Sequence, residues 1–205
     1  MSNETKNEYA IAGWLAIATA VLILPSFVLG IATEVAKHKA PELMITLLVP
    51  YFLITILYTI FSIYVILRFR RYLNNRHGFH AIDGLITAII VGVITMTLYA
   101  MPMKVLGLMD VLDSPLLAIL AVIPIAVIGI PMGIIGIIIG VRLLALPSQS
   151  TSYFKVYAWL TIAAGICFVT FFLGPLGGLI DGAANIVLAM LFLKPETDEI
   201  QPDFV

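Results

Sequence analysis

The chain has 205 residues, a formal net charge of -1, 61% hydrophobic residues and 11% charged residues. Soluble domains have about 45–50% apolar and about 25% charged residues, so the composition excludes an ordinary soluble fold and predicts an integral membrane protein. The near-neutral charge also argues against a nucleic-acid-binding protein, which needs a basic surface.

Long apolar stretches fill nearly the whole chain. A membrane-spanning helix needs about 20 apolar residues, because the hydrocarbon core of a bilayer is about 30 Å thick. We therefore predict an all-α, polytopic transmembrane helical bundle with one domain at residues 9–193, between a polar tail at 1–8 and an acidic tail at 194–205. Six spans are predicted, at Tyr9–Thr33, Leu43–Leu67, Ala81–Met101, Pro115–Val141, Val156–Leu173 and Leu176–Leu193.

The distribution of Lys and Arg predicts the orientation of the spans, because cytoplasmic loops carry an excess of these residues. With the N-terminus inside the cell, eight of them fall on the cytoplasmic side and three on the other, so both termini are predicted to be cytoplasmic. The eight are Lys6, Arg68, Arg70, Arg71, Arg76, Arg142, Lys155 and Lys194, and the three are Lys37, Lys39 and Lys104. No basic region precedes the first apolar stretch, so we expect a retained span rather than a cleaved signal peptide.

The second span carries hydroxyl groups at helical spacing, on Thr55, Tyr58, Thr59 and Ser62. Such a face is typical of a polar path through a bundle. It is equally typical of hydroxyls that bond to a neighbouring helix or to their own backbone. We favour the second interpretation, because it requires no water inside the membrane.

The segment RFRRYLNNRHGFHAIDG, residues 68–84, joins the second and third spans and is densely charged. Gly78 is expected to end the helix that carries the arginines. If His80 caps the third helix, Asp83 takes its third position. There a carboxylate meets free backbone N–H groups and the positive end of the helix dipole.

The four arginines of this segment are predicted to bind anionic lipid headgroups or a protein partner at the cytoplasmic surface. They are Arg68, Arg70, Arg71 and Arg76. Each basic residue near an anionic surface contributes about 1 kcal/mol to binding. The alternative is that they act only as the orientation signal.

His77, His80 and Asp83 recur at intervals of three residues. On one helix this spacing can supply a metal site of two histidines and one carboxylate. The turn expected at Gly78 removes His77 from that register, so we predict no metal site and no other cofactor. The sequence has no HExxH motif, nucleophile elbow or phosphate-binding loop, which disfavours an enzyme without excluding one.

The fourth span carries a stripe of small residues, formed by Gly129, Gly133, Gly136 and Gly140. Small residues let helix backbones approach closely within lipid, so the stripe predicts a helix-packing surface. We favour a static groove inside the monomer. A dimerising or mobile face, with a hinge near Pro124 and Pro131, is the alternative.

The motif LGPLGG, residues 173–178, is predicted to form the turn between the fifth and sixth spans, because proline and paired glycines interrupt helices. Five spans with one broken helix are the alternative. With Gly178 as the cap of the sixth span, Asp181 lies within about one turn of the interface. No charged residue is then left near the middle of any span, which disfavours an ion-coupled transporter.

Two internal matches suggest a duplication. Ile82-Asp83-Gly84 and Ile180-Asp181-Gly182 begin the third and sixth spans, and Pro25–Gly30 shares its spacing with Pro124–Gly129. Together they indicate an inverted repeat of three plus three spans. A match of GWLAIA to AWLTIA implies a different period and weakens this hypothesis.

The segments AGWLAIATAVLILP, RRYLNNRHGFHAID and YAWLTIAAGIC resemble those of small multi-spanning bacterial inner-membrane proteins of uncharacterised function. The resemblance implies a bacterial cytoplasmic membrane and contributes no catalytic residues. From the sequence we expect an accessory or scaffold subunit of a membrane assembly, with a second copy or another membrane protein as partner. The alternative is a small carrier or channel for a neutral or weakly polar solute.

Overall fold

The computed structural model describes residues 3–109, 115–146, 152–170 and 173–193. These residues form six helices and no strand. The helices are α1 (Asn3–Lys39), α2 (Pro41–His77), α3 (Asp83–Leu108), α4 (Pro115–Leu144), α5 (Ser152–Val169) and α6 (Gly174–Leu193). All six are long and apolar enough to cross a membrane. The predicted all-α bundle is therefore confirmed, with six helices that are each a candidate membrane span.

Helices α1 and α2 contain 37 residues each and are separated by one non-helical residue, Ala40. Pro41 suits the first position of α2, because an N–H group has no intrahelical partner there. At about 1.5 Å per residue each helix is about 55 Å long, so both tilt within the hydrocarbon core or extend beyond it. Since α1 begins at Asn3, most of the predicted polar tail is helical, and the predicted acidic tail at 194–205 lies outside the described residues.

Gly78 ends α2 in the left-handed conformation, with φ of 58°. Its N–H group bonds to the carbonyl of Asn74 at 3.1 Å. Glycine adopts this conformation without the steric penalty of a side chain. The predicted helix end is confirmed, although His77 is the last helical residue rather than part of the turn.

The predicted start of α3 was wrong by two residues. Ile82, and not His80, is the N-cap, so Asp83 is the first helical residue rather than the third. The Asp83 carboxylate accepts hydrogen bonds from side chains, from Arg70 Nε at 2.8 Å and Asn74 Nδ2 at 3.1 Å. It therefore ties α3 to the end of α2.

The predicted start of α6 was also wrong. The helix begins at Gly174, with Pro175 in its first turn, because proline there removes no intrahelical hydrogen bond. Asp181 is consequently the eighth residue of a 20-residue helix, about 10 Å along its axis. The expectation that no charged residue lies near the middle of a span is wrong, since Asp181 lies there.

Each helix packs against the next one along the chain, and α6 packs back against α1. The six helices therefore form a closed ring in chain order. The α4–α5 and α1–α2 contacts are extensive, whereas α3 packs less extensively on α2 and α4.

Three of the four stripe glycines are buried between α4 and α5, namely Gly133, Gly136 and Gly140. A Cβ atom on Gly133 would lie 2.8 Å from the carbonyl oxygen of Gly165, so the two backbones are in direct contact. Gly129 is half-buried, and a Cβ there would lie 3.6 Å from its nearest neighbour, Met96 Cε. The stripe thus forms a groove inside this chain.

Aromatic side chains close the ring at the end where α2 stops. Tyr9 lies 5.5 Å from Tyr72 and 5.9 Å from Phe192 between ring centroids, and Tyr72 lies 6.0 Å from Phe154. Tyr9, Tyr72, Phe154 and Phe192 are each less than a tenth exposed. Aromatic pairs at these separations stabilise a core beyond the effect of burial alone.

Candidate functional site

A cavity of about 210 Å³ lies inside the helix ring. Helices α2 to α6 all contribute to its wall. The lining residues are Tyr58, Ser62, Ile66 and Phe69 of α2; Ile86, Ile89 and Val93 of α3; Met132, Gly136 and Ile139 of α4; Tyr157, Thr161, Ala164, Gly165 and Phe168 of α5; and Asp181, Asn185 and Leu188 of α6. Among these described residues Asp181 is the one charged group, so we call this the carboxylate cavity.

The Asp181 carboxylate is held by neutral groups from two helices. Tyr58 donates its phenolic hydrogen to Asp181 Oδ2 at 3.3 Å. Asn185, one turn further along α6, donates from Nδ2 to the same oxygen at 3.2 Å and to the Asp181 carbonyl at 3.0 Å. No ion pair among the described residues includes Asp181. A carboxylate without a basic partner is energetically expensive inside a bilayer.

The Tyr58–Asp181 contact lies near the middle of both helices. Tyr58 is the eighteenth of the 37 residues of α2, and Asp181 is the eighth of the 20 residues of α6. Both helices are long and apolar enough to cross a membrane. The contact therefore lies well inside two candidate spans.

The hydroxyls predicted on α2 divide into two pairs. Thr55 donates to a carbonyl of its own helix at 2.8 Å, and Thr59 Oγ1 lies 3.0 Å from Thr97 Oγ1 of α3. Thr55 and Thr59 therefore bond to their own backbone or to a neighbouring helix, as predicted from the sequence. Tyr58 and Ser62 instead line the carboxylate cavity. Ser62 is 8% exposed, and its Oγ has no hydrogen-bond partner among the described residues.

A second cavity, of about 500 Å³, is more open than the first and contains the ion pair between Glu34 and Lys104, in which the Glu34 side chain is 58% exposed. We call it the ion-pair cavity. Lys104 Nζ also donates to the Gly30 carbonyl at 3.3 Å and lies 5.7 Å from the centroid of the Tyr51 ring. The lining residues are Ile23, Ser26, Phe27, Gly30, Ile31, Glu34, Val35, Tyr51, Tyr58, Lys104, Pro175, Gly178 and Leu179.

The two cavities occupy opposite halves of the ring. The ion-pair cavity is bounded by the second half of α1, the first half of α2, the end of α3 and the start of α6. The carboxylate cavity extends from Asp181 towards the aromatic end, along the second half of α2 and the first half of α3. Tyr58 lines both cavities, so it lies between them near the middle of α2.

Two of the predicted lipid-binding arginines pair with carboxylates of this chain. Arg68 Nη1 lies 2.5 Å from Glu8 Oε2 and joins α2 to α1. Arg70 Nε lies 2.8 Å from Asp83 Oδ1 and joins α2 to α3. Both side chains therefore fasten helix ends.

The other two arginines, Arg71 and Arg76, have different surroundings. Arg76 lies over the Tyr72 ring, 5.1 Å from its centroid. Arg71 and Arg76 are both exposed. The four arginines consequently differ in their contacts, and Arg71 is the one with no ion pair or ring contact among the described residues.

The residues considered for a metal site have other contacts. His80 Nδ1 lies 3.2 Å from Asp83 Oδ2, whereas the His77 ring packs on Phe154 at 5.3 Å between centroids. Across the described parts of the chain, no three His, Cys, Asp or Glu side chains lie close enough together to hold a metal ion.

No protein-family model, curated protein or solved structure matches this chain. The geometry of the two cavities therefore carries the functional conclusion.

Sequence reasoning missed the centre of the site. It placed Asp181 near the interface and assigned no role to Asn185, Tyr157 or Thr161. One signal was present, because Asp181, Asn185 and Leu188 are spaced four and three residues apart. This spacing puts them on one face of a helix, which predicts a polar patch beside an apolar wall.

Proposed function

We propose that this protein is a small multi-pass carrier that moves a solute through the centre of its helix ring, with Asp181 as the central contact. The observation that carries this proposal is the pair of cavities in opposite halves of the ring, separated by the Tyr58–Asp181 hydrogen bond. A carrier needs a central site that opens to one side of the membrane at a time.

Two physical arguments support a role for Asp181 beyond packing. An ionisable side chain inside a membrane span is costly, so such residues are rare and mark substrate or ion pathways. A helix contact that served packing alone would need no ionisable group, and an apolar residue there would avoid the cost of burying a carboxyl group. The carboxylate also lines a cavity, where a solute can reach it.

We further propose that the protein lies in the bacterial cytoplasmic membrane with both termini in the cytoplasm. The distribution of Lys and Arg supports this orientation, and the resemblance to small bacterial inner-membrane proteins supports the location. The carboxylate cavity then occupies the cytoplasmic half of the protein and the ion-pair cavity the outer half.

The hypothesis of an accessory or scaffold subunit stays a prediction, and the structure offers less support for it than the sequence did. The glycine stripe that suggested self-association packs largely against α5 of the same chain. A second motivation, the expected absence of charge from the span centres, does not hold for Asp181. For the same reason, a neutral solute is less suited to the cavity than a charged one. The third motivation, the lack of a predicted domain outside the membrane, is unchanged.

Thiol labelling from the two sides of the membrane tests the carrier proposal. The single cysteine, Cys167, is first replaced by Ala. Ser26→Cys then places a thiol in the ion-pair cavity, and Thr161→Cys places one in the carboxylate cavity. We expect the membrane-impermeant, cationic reagent 2-(trimethylammonium)ethyl methanethiosulfonate to modify Ser26→Cys from outside and Thr161→Cys from the cytoplasmic side of inverted vesicles.

The matched control is Val28→Cys, because Val28 is 62% exposed on the outer surface of the ring and faces neither cavity. Its thiol should react from neither side. The proposal fails if both cavity thiols stay unmodified, or if both react from the same side alone. Either result would leave no route that opens to the two sides of the membrane.

A further inference from the structure

We infer that the carboxylate cavity binds a small monovalent organic cation, an ammonium group attached to an apolar group of about the size of benzene. This inference rests on the proposed carrier function and names the class of its solute. Four observations support it: the single charge of the cavity, the free oxygen of that charge, the unpaired Ser62 hydroxyl, and the apolar and aromatic wall.

The charge of the cavity favours a cation. Its described lining residues include one carboxylate and no Lys, Arg or His. Both side-chain hydrogen bonds to Asp181 end on Oδ2, and no described residue donates to Oδ1. A buried carboxylate in apolar surroundings is stabilised by a proton or by a bound cation, and an anionic solute would be repelled.

Ser62 supplies a second polar contact. It follows Tyr58 by one helical turn, so both side chains are on the same face of α2. Its hydroxyl is buried and has no hydrogen-bond partner among the described residues. Leaving such a group unpaired costs about 1–3 kcal/mol, and an ammonium N–H group would satisfy it.

The wall favours an organic cation over a metal ion. Magnesium and calcium need about six or more oxygen ligands, whereas most of this wall is aliphatic or aromatic. The rings of Tyr157 and Phe168 also suit a cation, which is attracted to the face of an aromatic ring. An apolar cavity of about 150 Å³ holds benzene, so about 210 Å³ fits a benzene-sized group with an ammonium attached.

Calorimetric binding to the purified protein in lipid nanodiscs tests this inference with three probes of matched shape. They are benzylammonium, benzyl alcohol and benzoate, which are cationic, neutral and anionic. We expect benzylammonium to bind about tenfold or more tightly than the other two, as charge-assisted hydrogen bonds of about 1.5–3 kcal/mol imply.

Substitutions of the cavity residues test whether benzylammonium binds in the carboxylate cavity. Asp181→Asn should abolish the preference for benzylammonium, and Ser62→Ala should weaken its binding severalfold. Asp181→Glu keeps the charge and should keep the preference, which separates loss of charge from loss of folding. Thr95→Ala is the matched control for Ser62→Ala, because Thr95 is exposed and bonds to its own helix at 2.8 Å.

Equal binding of the three probes, no binding of benzylammonium, or unchanged binding by Asp181→Asn would each overturn the inference. Its failure is distinguishable from failure of the carrier proposal. Cavity thiols that react from opposite sides, without a preference for benzylammonium, would leave a carrier for another solute. If benzylammonium bound but both cavity thiols reacted from the same side alone, the protein would have a cation site that is not part of a transport path.

Discussion

Tyr58 and Asp181, 123 residues apart in the chain, form a 3.3 Å hydrogen bond between the centres of α2 and α6. Helices α2 and α6 are not neighbours in the ring, since α1 lies between them. The bond therefore crosses the inside of the ring and separates its two cavities.

Tyr58→Phe keeps the aromatic ring and removes the hydrogen-bond donor. We expect the free energy of unfolding to fall by about 0.5–1.5 kcal/mol, the usual contribution of one hydrogen bond. Thermal unfolding in detergent, followed by circular dichroism, measures this change. Tyr64→Phe is the control, because Arg68 lies 5.0 Å from the centroid of that ring and the substitution keeps the ring. Equal losses in the two variants would contradict a specific role of the Tyr58 hydroxyl.

Gly133→Ala should destabilise the protein by about 1–3 kcal/mol, because its Cβ would lie 2.8 Å from the Gly165 carbonyl oxygen and force α4 away from α5. Gly129→Ala belongs to the same predicted stripe and should change stability little, since its Cβ would lie 3.6 Å from the flexible end of Met96. Thermal unfolding of the two variants provides the comparison. If Gly129→Ala were the more harmful change, the stripe would not act through the α4–α5 contact.

Asp83→Ala should lower the free energy of unfolding by about 1–3 kcal/mol, because Arg70, Asn74 and His80 all lose their acceptor. The control is Glu42→Ala, which removes an exposed carboxylate from the first turn of α2. That change should cost less than about 1 kcal/mol, the usual effect of a charge near a helix end. If chemical or thermal unfolding gave equal losses for Asp83→Ala and Glu42→Ala, the Asp83 contacts would contribute little to stability.

Arg71→Ala should weaken binding of anionic lipid and leave stability unchanged. Loss of one exposed basic residue near an anionic surface costs about 1 kcal/mol, or about fivefold in affinity. Native mass spectrometry with phosphatidylglycerol measures lipid retention. Arg70→Ala should show the reverse pattern, because Arg70 pairs with Asp83. Greater lipid loss in Arg70→Ala than in Arg71→Ala would contradict this division of roles.

The number of spans and the end of α2 could be predicted because they depend on local sequence. A run of about twenty apolar residues has the length needed to cross the bilayer as a helix, so it predicts a membrane helix directly. A glycine after an arginine-rich helix marks its end for a local reason, since the left-handed conformation at Gly78 is costly for other residues. Neither prediction required knowledge of distant contacts.

The candidate site could not be predicted, for one local and one distant reason. Locally, the LGPLGG motif predicts a turn, although proline is equally compatible with the first turn of a helix, where Pro175 lies. The predicted turn places Asp181 at the edge of a span and not in its middle. The distant reason is that Tyr58 and Asp181 meet through the closure of the ring, which a single sequence does not reveal.

Helix α3 has the least extensive packing on its neighbours and forms part of the wall of both cavities. Ile86 and Ile89 near its start face one cavity, and Lys104 near its end faces the other. Between these ends, Thr97 bonds to Thr59 at the centre of α2. The Arg70–Asp83 ion pair holds the start of α3 and the Glu34–Lys104 ion pair holds its end. One helix, attached at three points, thus couples the walls of the two cavities mechanically, so a tilt of α3 could not alter one cavity without straining a contact at the other.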